Sequence, residues 1–207
     1  MTAFSLSRTA GARVHGEDVR DPTERPLVDS LRRGEASAFD AVYAKYRARI
    51  YGFLVRLCRR PDVAEDLFQE TFLKLARNAP RLAEDTDLAA WLFTVARNAW
   101  VSHRRWSMLD VSRLVALEDD ALPAARSPDP DARADAARAM ERMERALASL
   151  PAASREVLLL VGVEGFEQDE VAGMLGIKYD ALRQRLTRAR AQLAERLAMV
   201  ETLEVPA

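Results

Sequence analysis

Apolar residues recur at three- and four-residue steps along most of this chain, and no segment alternates apolar and polar residues as a half-buried strand does. The clearest stripe covers residues 39–57 and predicts an amphipathic helix that buries one face. Pro61 ends that helix, and we predict that the next begins with Asp62 as its N-cap and ends before Pro80. A third helix is predicted over residues 86–106. The sequence therefore predicts an all-α fold.

Proline and charge divide the chain into segments. Residues 107–134 hold three prolines and an excess of acids with little apolar periodicity, which is typical of a flexible linker. We predict two small helical domains, one over residues 31–106 and one over residues 135–200, joined by this acidic linker. A flexible N-terminal extension is predicted over residues 1–30 and a short tail over residues 201–207.

The composition excludes several classes of protein. Cys58 is the single cysteine and the two histidines lie far apart, so no internal disulfide can form and a metal site is poorly supplied. No apolar run approaches the roughly 18 residues that a membrane helix needs, and residues 1–20 lack the apolar core of a secretory signal. We therefore expect a cytoplasmic protein without a metal, a cofactor or membrane insertion.

A net charge of −1 conceals two basic segments. Residues 36–106 carry twelve basic side chains against eight acidic ones. Residues 178–190 carry five basic side chains and a single acid, Asp180. Local excesses of positive charge of this kind suit a polyanionic partner such as nucleic acid.

Residues 168–186 match what a helix-turn-helix requires. The crossing of its two helices needs a small residue, which Ala172 supplies, and the turn needs a residue that tolerates positive φ, which Gly176 supplies. The second helix exposes long donors that suit phosphates and base edges in the major groove, namely Arg183, Gln184, Arg185 and Arg188. The alternative is a helical hairpin with a solvated basic face.

A second segment, residues 64–77, turns its apolar residues to one helical face and leaves a charged face outside. The outer residues are Asp66, Gln69, Glu70, Leu73 and Lys74. A charged face is usually only solvated, but an exposed leucine among carboxylates is a weak sign of a protein-binding surface.

A third segment, residues 91–106, interleaves aromatic residues with basic and amide side chains. Such a mixture suits single-stranded DNA, because bases stack on aromatic rings and phosphates pair with guanidinium groups. The alternative is that Trp91 and Phe93 belong to a helical core.

Four blocks in this order resemble the extracytoplasmic-function (ECF) group of the sigma-70 family of bacterial RNA polymerase sigma factors. The blocks read AEDLFQETF at 64–72, WLFTVARN at 91–98, LPAASREVLLL at 150–160 and RLTRAR at 185–190. The similarity extends from about residue 35 to residue 199 and so covers nearly the whole chain.

The resemblance implies three surfaces and no catalytic residue. It implies that the clamp helices of the largest subunit of the polymerase core are bound by Asp66, Gln69, Glu70, Leu73 and Lys74. It implies that the minus-ten element is opened and read by Arg97, Asn98, Trp100, Arg104 and Arg105, with Asn98 at a pocket for a flipped base. It implies that the minus-thirty-five element is read by Lys178, Ala181, Arg183, Gln184, Arg185 and Arg188.

The resemblance also implies further partners, and three rival hypotheses stand beside it. An anti-sigma factor is an expected partner, and the acidic linker resembles a segment that passes through the polymerase cleft. We expect Asp180 to cap the recognition helix, since its carboxylate would otherwise repel DNA phosphates. The rival hypotheses are a sigma-like mimic that sequesters an anti-sigma factor without binding DNA, an ordinary two-domain repressor, and an enzyme that uses Asp66 and Glu70.

Overall fold

The computed structural model of the protein describes residues 24–109, called the first domain, and residues 132–204, called the second domain. Both ranges are helical, and neither contains a β-strand. The first domain consists of α1 (Glu24–Arg32), α2 (Ala36–Cys58), α3 (Pro61–Asn78), a 3₁₀ turn (Ala79–Arg81) and α4 (Leu88–Leu109). The second consists of α5 (Ala132–Ala148), α6 (Ala152–Leu158), a π-helical turn (Leu159–Val163), α7 (Gln168–Leu175) and α8 (Tyr179–Glu204). The prediction of an all-α fold with two small domains is confirmed.

The core of the first domain lies where α2, α3 and α4 meet. Ile50 and Phe53 of α2, Leu75 of α3 and Leu92 of α4 are almost completely buried. The Phe53 ring meets the Phe93 ring edge to face, with 5.2 Å between the ring centroids. The predicted stripe over residues 39–57 therefore does form the buried face of a helix.

The connection from α2 to α3 differs from the prediction. Arg59 adopts a left-handed φ of 62°, and its N–H donates to the carbonyl of Val55 at 2.9 Å, which closes α2. Pro61 then starts α3, where its missing N–H has no helical partner to lose. The prediction that Asp62 is the N-cap is wrong, because Asp62 is the second helical residue and its carboxylate lies 2.5 Å from the Arg60 guanidinium.

Helix α1 was not predicted. The extension proposed for residues 1–30 is wrong at its C-terminal end, where the chain forms this helix. Val28 and Leu31 are 1% and 2% exposed and pack against α2 and the 3₁₀ turn. The Glu24 carboxylate accepts a hydrogen bond from the Tyr46 hydroxyl of α2. Burial and this carboxylate together raise the pKa of Tyr46.

The predicted linker and tail are also too long. Helix α4 continues to Leu109 and α5 begins at Ala132, so both ends of the segment 107–134 are helical. Helix α8 likewise extends into the predicted tail. Residues 1–23, 110–131 and 205–207 lie outside the described residues, and the predictions of an extension, an acidic linker and a tail remain predictions there.

The second domain contains the expected helix-turn-helix. Helix α7 ends at Gly176, whose left-handed φ of 64° would be strained in a residue with a side chain. The Ile177 N–H donates to the Ala172 carbonyl at 3.0 Å, which closes the end of the helix. Helix α8 then begins at Tyr179. The prediction that Asp180 caps α8 is wrong, because Asp180 is its second residue and lies within the first turn.

Candidate protein- and DNA-binding surfaces

Helix α3 separates a buried face from a charged one. On the inner side Leu67 is buried, and the Thr71 hydroxyl satisfies its hydrogen-bonding capacity by donating to the Leu67 carbonyl at 2.7 Å. On the outer side Leu73 is 55% exposed. The amino group of Lys74 lies 2.7 Å from the Glu70 carboxylate, one helical turn away.

All five residues predicted to bind the polymerase core project from the outer side of α3. Four are exposed and Lys74 is half-buried. This group, called the α3 surface, consists of Asp66, Gln69, Glu70, Leu73 and Lys74. One apolar side chain is surrounded by acidic, basic and amide side chains. Protein–protein interfaces have this composition, with an apolar centre and a polar rim.

An aromatic cluster flanks the α3 surface and does not follow from the sequence pattern. Tyr43 and Tyr51 of α2 pack edge to face against Phe72 and Phe68 of α3, at centroid separations of 4.9 and 5.9 Å. The two tyrosines are 37% and 40% exposed. Periodicity places Tyr43 in the buried stripe and gives no sign of Tyr51, because it cannot show which rings fill the seam between two helices.

Arg97 and Asn98 lie side by side on α4. The Arg97 Nη1 donates to the Asn98 Oδ1 at 3.0 Å, and Asn98 is exposed. The Arg97 Nε donates at 2.7 Å to a carboxylate oxygen of Glu156, which belongs to the second domain. The Arg97 guanidinium and the Asn98 amide are therefore held next to each other, and the Nε donor of Arg97 is already bonded to the Glu156 carboxylate.

The exposure of Trp100 and Trp106 on α4 is not what the resemblance implies for a DNA-binding surface. Trp100 is 6% exposed, and the Arg104 guanidinium lies 4.9 Å from the centroid of its ring. This ring supports α4 from the core and offers no open face for a base to stack on. Trp106 is not among the predicted DNA residues, yet it is 73% exposed and follows the exposed Arg104 and Arg105. Exposure, which the sequence does not show, is the signal that identifies it.

Helix α8 presents the predicted recognition face. Its apolar side is buried through Leu182, Leu186 and Ala189. The opposite side exposes Lys178, Ala181, Arg183, Gln184 and Arg188, while Arg185 is half-buried. The first turn of α8 also exposes Tyr179, at 48%. The structure thus brings together five of the six residues predicted to read the minus-thirty-five element on α8, and the sixth, Lys178, directly precedes that helix.

The two described ranges offer neither a metal site nor a membrane span. Within them, no group of three or more histidine, cysteine, aspartate or glutamate side chains could hold a metal ion. No helix of residues 24–109 or 132–204 combines the length and the apolar character needed to cross a bilayer. Cys58 is half-buried, and its burial raises the pKa of the thiol to about 12.

Comparison with known proteins identifies the two domains. The family model for Sigma-70 region 2 matches residues 42–107, and the model for Sigma-70 region 4 matches residues 140–193. The chain is 35% identical over 182 residues to the RNA polymerase sigma factor CarQ of Myxococcus xanthus, across 86% of this chain and 99% of CarQ. It is 32% identical over 169 residues to the ECF RNA polymerase sigma factor EcfG of Rhodopseudomonas palustris, across 82% of this chain and 86% of EcfG.

A solved structure agrees with these relatives. The fold is similar to that of the sigma factor RpoE of Bartonella quintana in its complex with the anti-sigma factor NepR, with a TM-score of 0.65 and 28% sequence identity. The superposition covers 77% of this chain and 96% of RpoE. Because a region 2 match falls on the first domain, a region 4 match falls on the second, and the relatives align over most of both chains, this protein belongs to the ECF group of the sigma-70 family of RNA polymerase sigma factors.

Proposed function

We propose that this protein binds RNA polymerase core in the cytoplasm, recognises the minus-ten and minus-thirty-five elements of its promoters and initiates transcription there. It performs no catalysis of its own. The first domain holds the polymerase through the α3 surface and separates the DNA strands through α4. The second domain anchors the complex on duplex DNA through α8.

The observation that carries this proposal is the exposure of Leu73. Leu73 is 55% exposed, so about half of its apolar surface contributes nothing to the folding of its own domain; because the region 2 match covers this helix, that exposed surface supports an apolar centre for a protein contact. An ordinary repressor needs no such surface. The exposed basic side chains of α8 likewise favour a DNA-binding sigma factor over a mimic that only sequesters an anti-sigma factor.

Replacing Leu73 by aspartate is expected to weaken binding to polymerase core by about 10- to 100-fold, because the change removes the apolar centre of the interface and adds a carboxylate to it. Binding is measured with the full chain and purified core enzyme by fluorescence anisotropy. Transcription is measured in the same samples by run-off assays on genomic fragments.

The matched control is Met199→Asp. Met199 is 57% exposed, close to the exposure of Leu73, but it lies near the end of α8 and outside the matched region 4. We expect this variant to bind the core like the wild type. Equal losses for both variants, or no binding of the wild-type chain to the core at low salt, would contradict the proposal.

Replacing Asn98 by alanine is expected to slow strand opening by about tenfold, which corresponds to one base interaction of about 1.4 kcal/mol. Asn98 is exposed beside Arg97, so the substitution leaves the core of the domain intact. Permanganate reactivity of thymines in the bubble reports opening, and gel retardation of the closed complex serves as the control. An opening rate equal to that of the wild type would exclude a role for Asn98 in base capture.

An anti-sigma factor is proposed as the regulatory partner. The support is that the similar RpoE structure is a complex with the anti-sigma factor NepR, and that the matched region extends over both domains. Which inhibitor binds this chain is tested by co-purification with candidate anti-sigma factors followed by loss of run-off transcription.

A further inference from the structure

Helix α4 carries a large exposed apolar side chain near its C-terminal end. Trp106 is 73% exposed, and in the described part of the chain its indole packs against neither an aromatic ring nor a cationic group. A single exposed apolar side chain is common and does not by itself identify a site. What Trp106 can bind is therefore indicated by the side chains beside it on α4.

Two arginines directly before Trp106 carry positive charge that the described domains do not neutralise. Arg104 and Arg105 are exposed, and neither forms an ion pair with a carboxylate of the described ranges. The Arg104 guanidinium lies 4.9 Å from the centroid of the Trp100 ring, and a cation–π contact leaves the charge of the cation in place. An anionic partner is therefore favoured at this end of α4.

Helical geometry aligns Trp106 with the candidate base-capture residue. At about 3.6 residues per turn, four exposed side chains lie within about 100° of one another around α4, namely Asn98, Ser102, Arg105 and Trp106. This set is called the α4 strip. Because each helical residue adds about 1.5 Å, Asn98 and Trp106 stand about 12 Å apart along the helix axis. The strip therefore offers two separate points of contact with a basic side chain between them.

Single-stranded DNA fits the chemistry of the α4 strip. Its unpaired bases expose flat faces that stack on aromatic rings, and its phosphates bind guanidinium groups. In duplex DNA the neighbouring base pairs cover those faces. The carboxylates of an acidic peptide would pair with the arginines but would present no flat surface to the indole. A span of about 12 Å equals the rise of about three to four stacked nucleotides at about 3.4 Å each.

We propose that Trp106 stacks on an unpaired base of the separated strand, about three to four nucleotides from the base held at Asn98. This inference rests on the proposed function, because it takes α4 to be the element that separates the strands. It adds a residue that lies outside the four blocks on which the resemblance depends. Arg105 binds the phosphate backbone between the two points. A strand held at both points cannot pair again with its complement over that length, so Trp106 helps to keep the bubble open.

The test uses the full chain without polymerase and three variants. Trp106→Ala removes the ring, and Trp106→Phe keeps an aromatic ring at the same position. Tyr51→Ala removes another exposed ring, 40% exposed on α2, and is the matched control. The probes are a single-stranded DNA oligonucleotide of mixed sequence and the same strand annealed to its complement. Tryptophan fluorescence is followed in each titration at low salt, and a fluorescein-labelled copy of the single strand gives the affinity by anisotropy.

Trp106→Ala is expected to bind the single strand at least about fivefold more weakly than the wild type, the effect of losing one stacked base. Trp106→Phe is expected to stay within about threefold of the wild type, since a phenyl ring also stacks on a base. Tyr51→Ala is expected to bind like the wild type.

The salt dependence separates stacking from charge. Arg105→Ala, measured alongside, is expected to make the slope of log affinity against log salt concentration shallower by about 0.7, because one phosphate of a single strand is no longer neutralised. Trp106→Ala is expected to leave this slope unchanged, since an indole carries no charge.

Fluorescence reports the stacking itself, because a base stacked on an indole quenches its emission. The single strand is expected to quench the wild-type chain. Most of this quenching is expected to disappear in Trp106→Phe, in which Trp91 and Trp100 are the remaining tryptophans. The duplex is expected to quench the wild type far less. The phenylalanine variant keeps the test decisive if circular dichroism shows reduced helix content in Trp106→Ala.

Equal affinities of Trp106→Ala and the wild type for the single strand would overturn the proposal. Equal quenching of the wild type and Trp106→Phe, or equal quenching of the wild type by duplex and single strand, would also overturn it, because the indole would then not stack on an unpaired base. These measurements use no polymerase. Failure of the wild-type chain to bind the core in the Leu73 experiment would therefore contradict the proposed function separately.

Discussion

Replacing Phe53 by alanine is expected to lower the free energy of unfolding of the first domain by about 3–5 kcal/mol, the usual cost of deleting a buried phenyl ring. Phe53 is 1% exposed and its ring packs edge to face against Phe93. Since small domains are stable by only about 5–15 kcal/mol, this loss is a large part of the total stability of the domain. Urea unfolding of the full chain, followed by circular dichroism, measures the effect.

The control for this prediction is another aromatic residue on the same helix. Tyr51 is 40% exposed and makes an edge-to-face contact with Phe68. Its replacement by alanine is expected to cost about 1 kcal/mol, the value of one such aromatic pair. If the two variants unfolded at the same urea concentration, the assignment of Phe53 to the core of the domain would be wrong.

Replacing Arg183 and Arg188 together by alanine is expected to weaken binding of the holoenzyme to double-stranded promoter DNA by about a hundredfold or more, because each arginine that binds a base or phosphate contributes about 1–3 kcal/mol. Both side chains are exposed on the proposed recognition face of α8. The slope of a plot of log affinity against log salt concentration is also expected to become shallower by up to about two. Each arginine that no longer neutralises a phosphate lowers this slope by about one. Filter binding over a range of salt concentrations measures both quantities.

Arg196→Ala provides the control for the recognition helix. Arg196 is an exposed arginine farther along α8, beyond the matched region 4. We expect it to leave promoter affinity within about twofold, since a distant exposed charge acts only through screened long-range attraction. Neither variant is expected to change binding to polymerase core. Loss of core binding by the double variant would contradict the division of labour between the domains.

Local features of the fold were predictable from the sequence because short-range rules determine them. Pro61 marks the boundary between α2 and α3, although as the first helical residue rather than as a spacer. Gly176 supplies the left-handed turn residue that the helix-turn-helix requires. The four exposed members of the α3 surface follow from helical periodicity alone, because each lies opposite the buried residues of α3.

Features that depend on tertiary contacts could not be read from the sequence. The interdomain ion pair Arg97–Glu156 joins residues 59 positions apart, and no periodicity relates them. Trp100 and Trp106 are the same residue type on the same helix. Trp100 is buried because it faces the core, whereas Trp106 is exposed, and only the packing of α4 distinguishes them. Helix α1 offers too few apolar positions for its stripe to be distinguished from an irregular segment.

The position of α1 determines where a fragment that contains the first domain can begin. The match to region 2 begins at residue 42, but Val28 and Leu31, which precede it, cover part of the surface of α2. A fragment trimmed to the matched residues would expose an apolar seam to water and leave the Tyr46 phenol without its acceptor. A fragment of this half should therefore begin no later than Glu24, and a shorter piece is expected to associate through the uncovered seam.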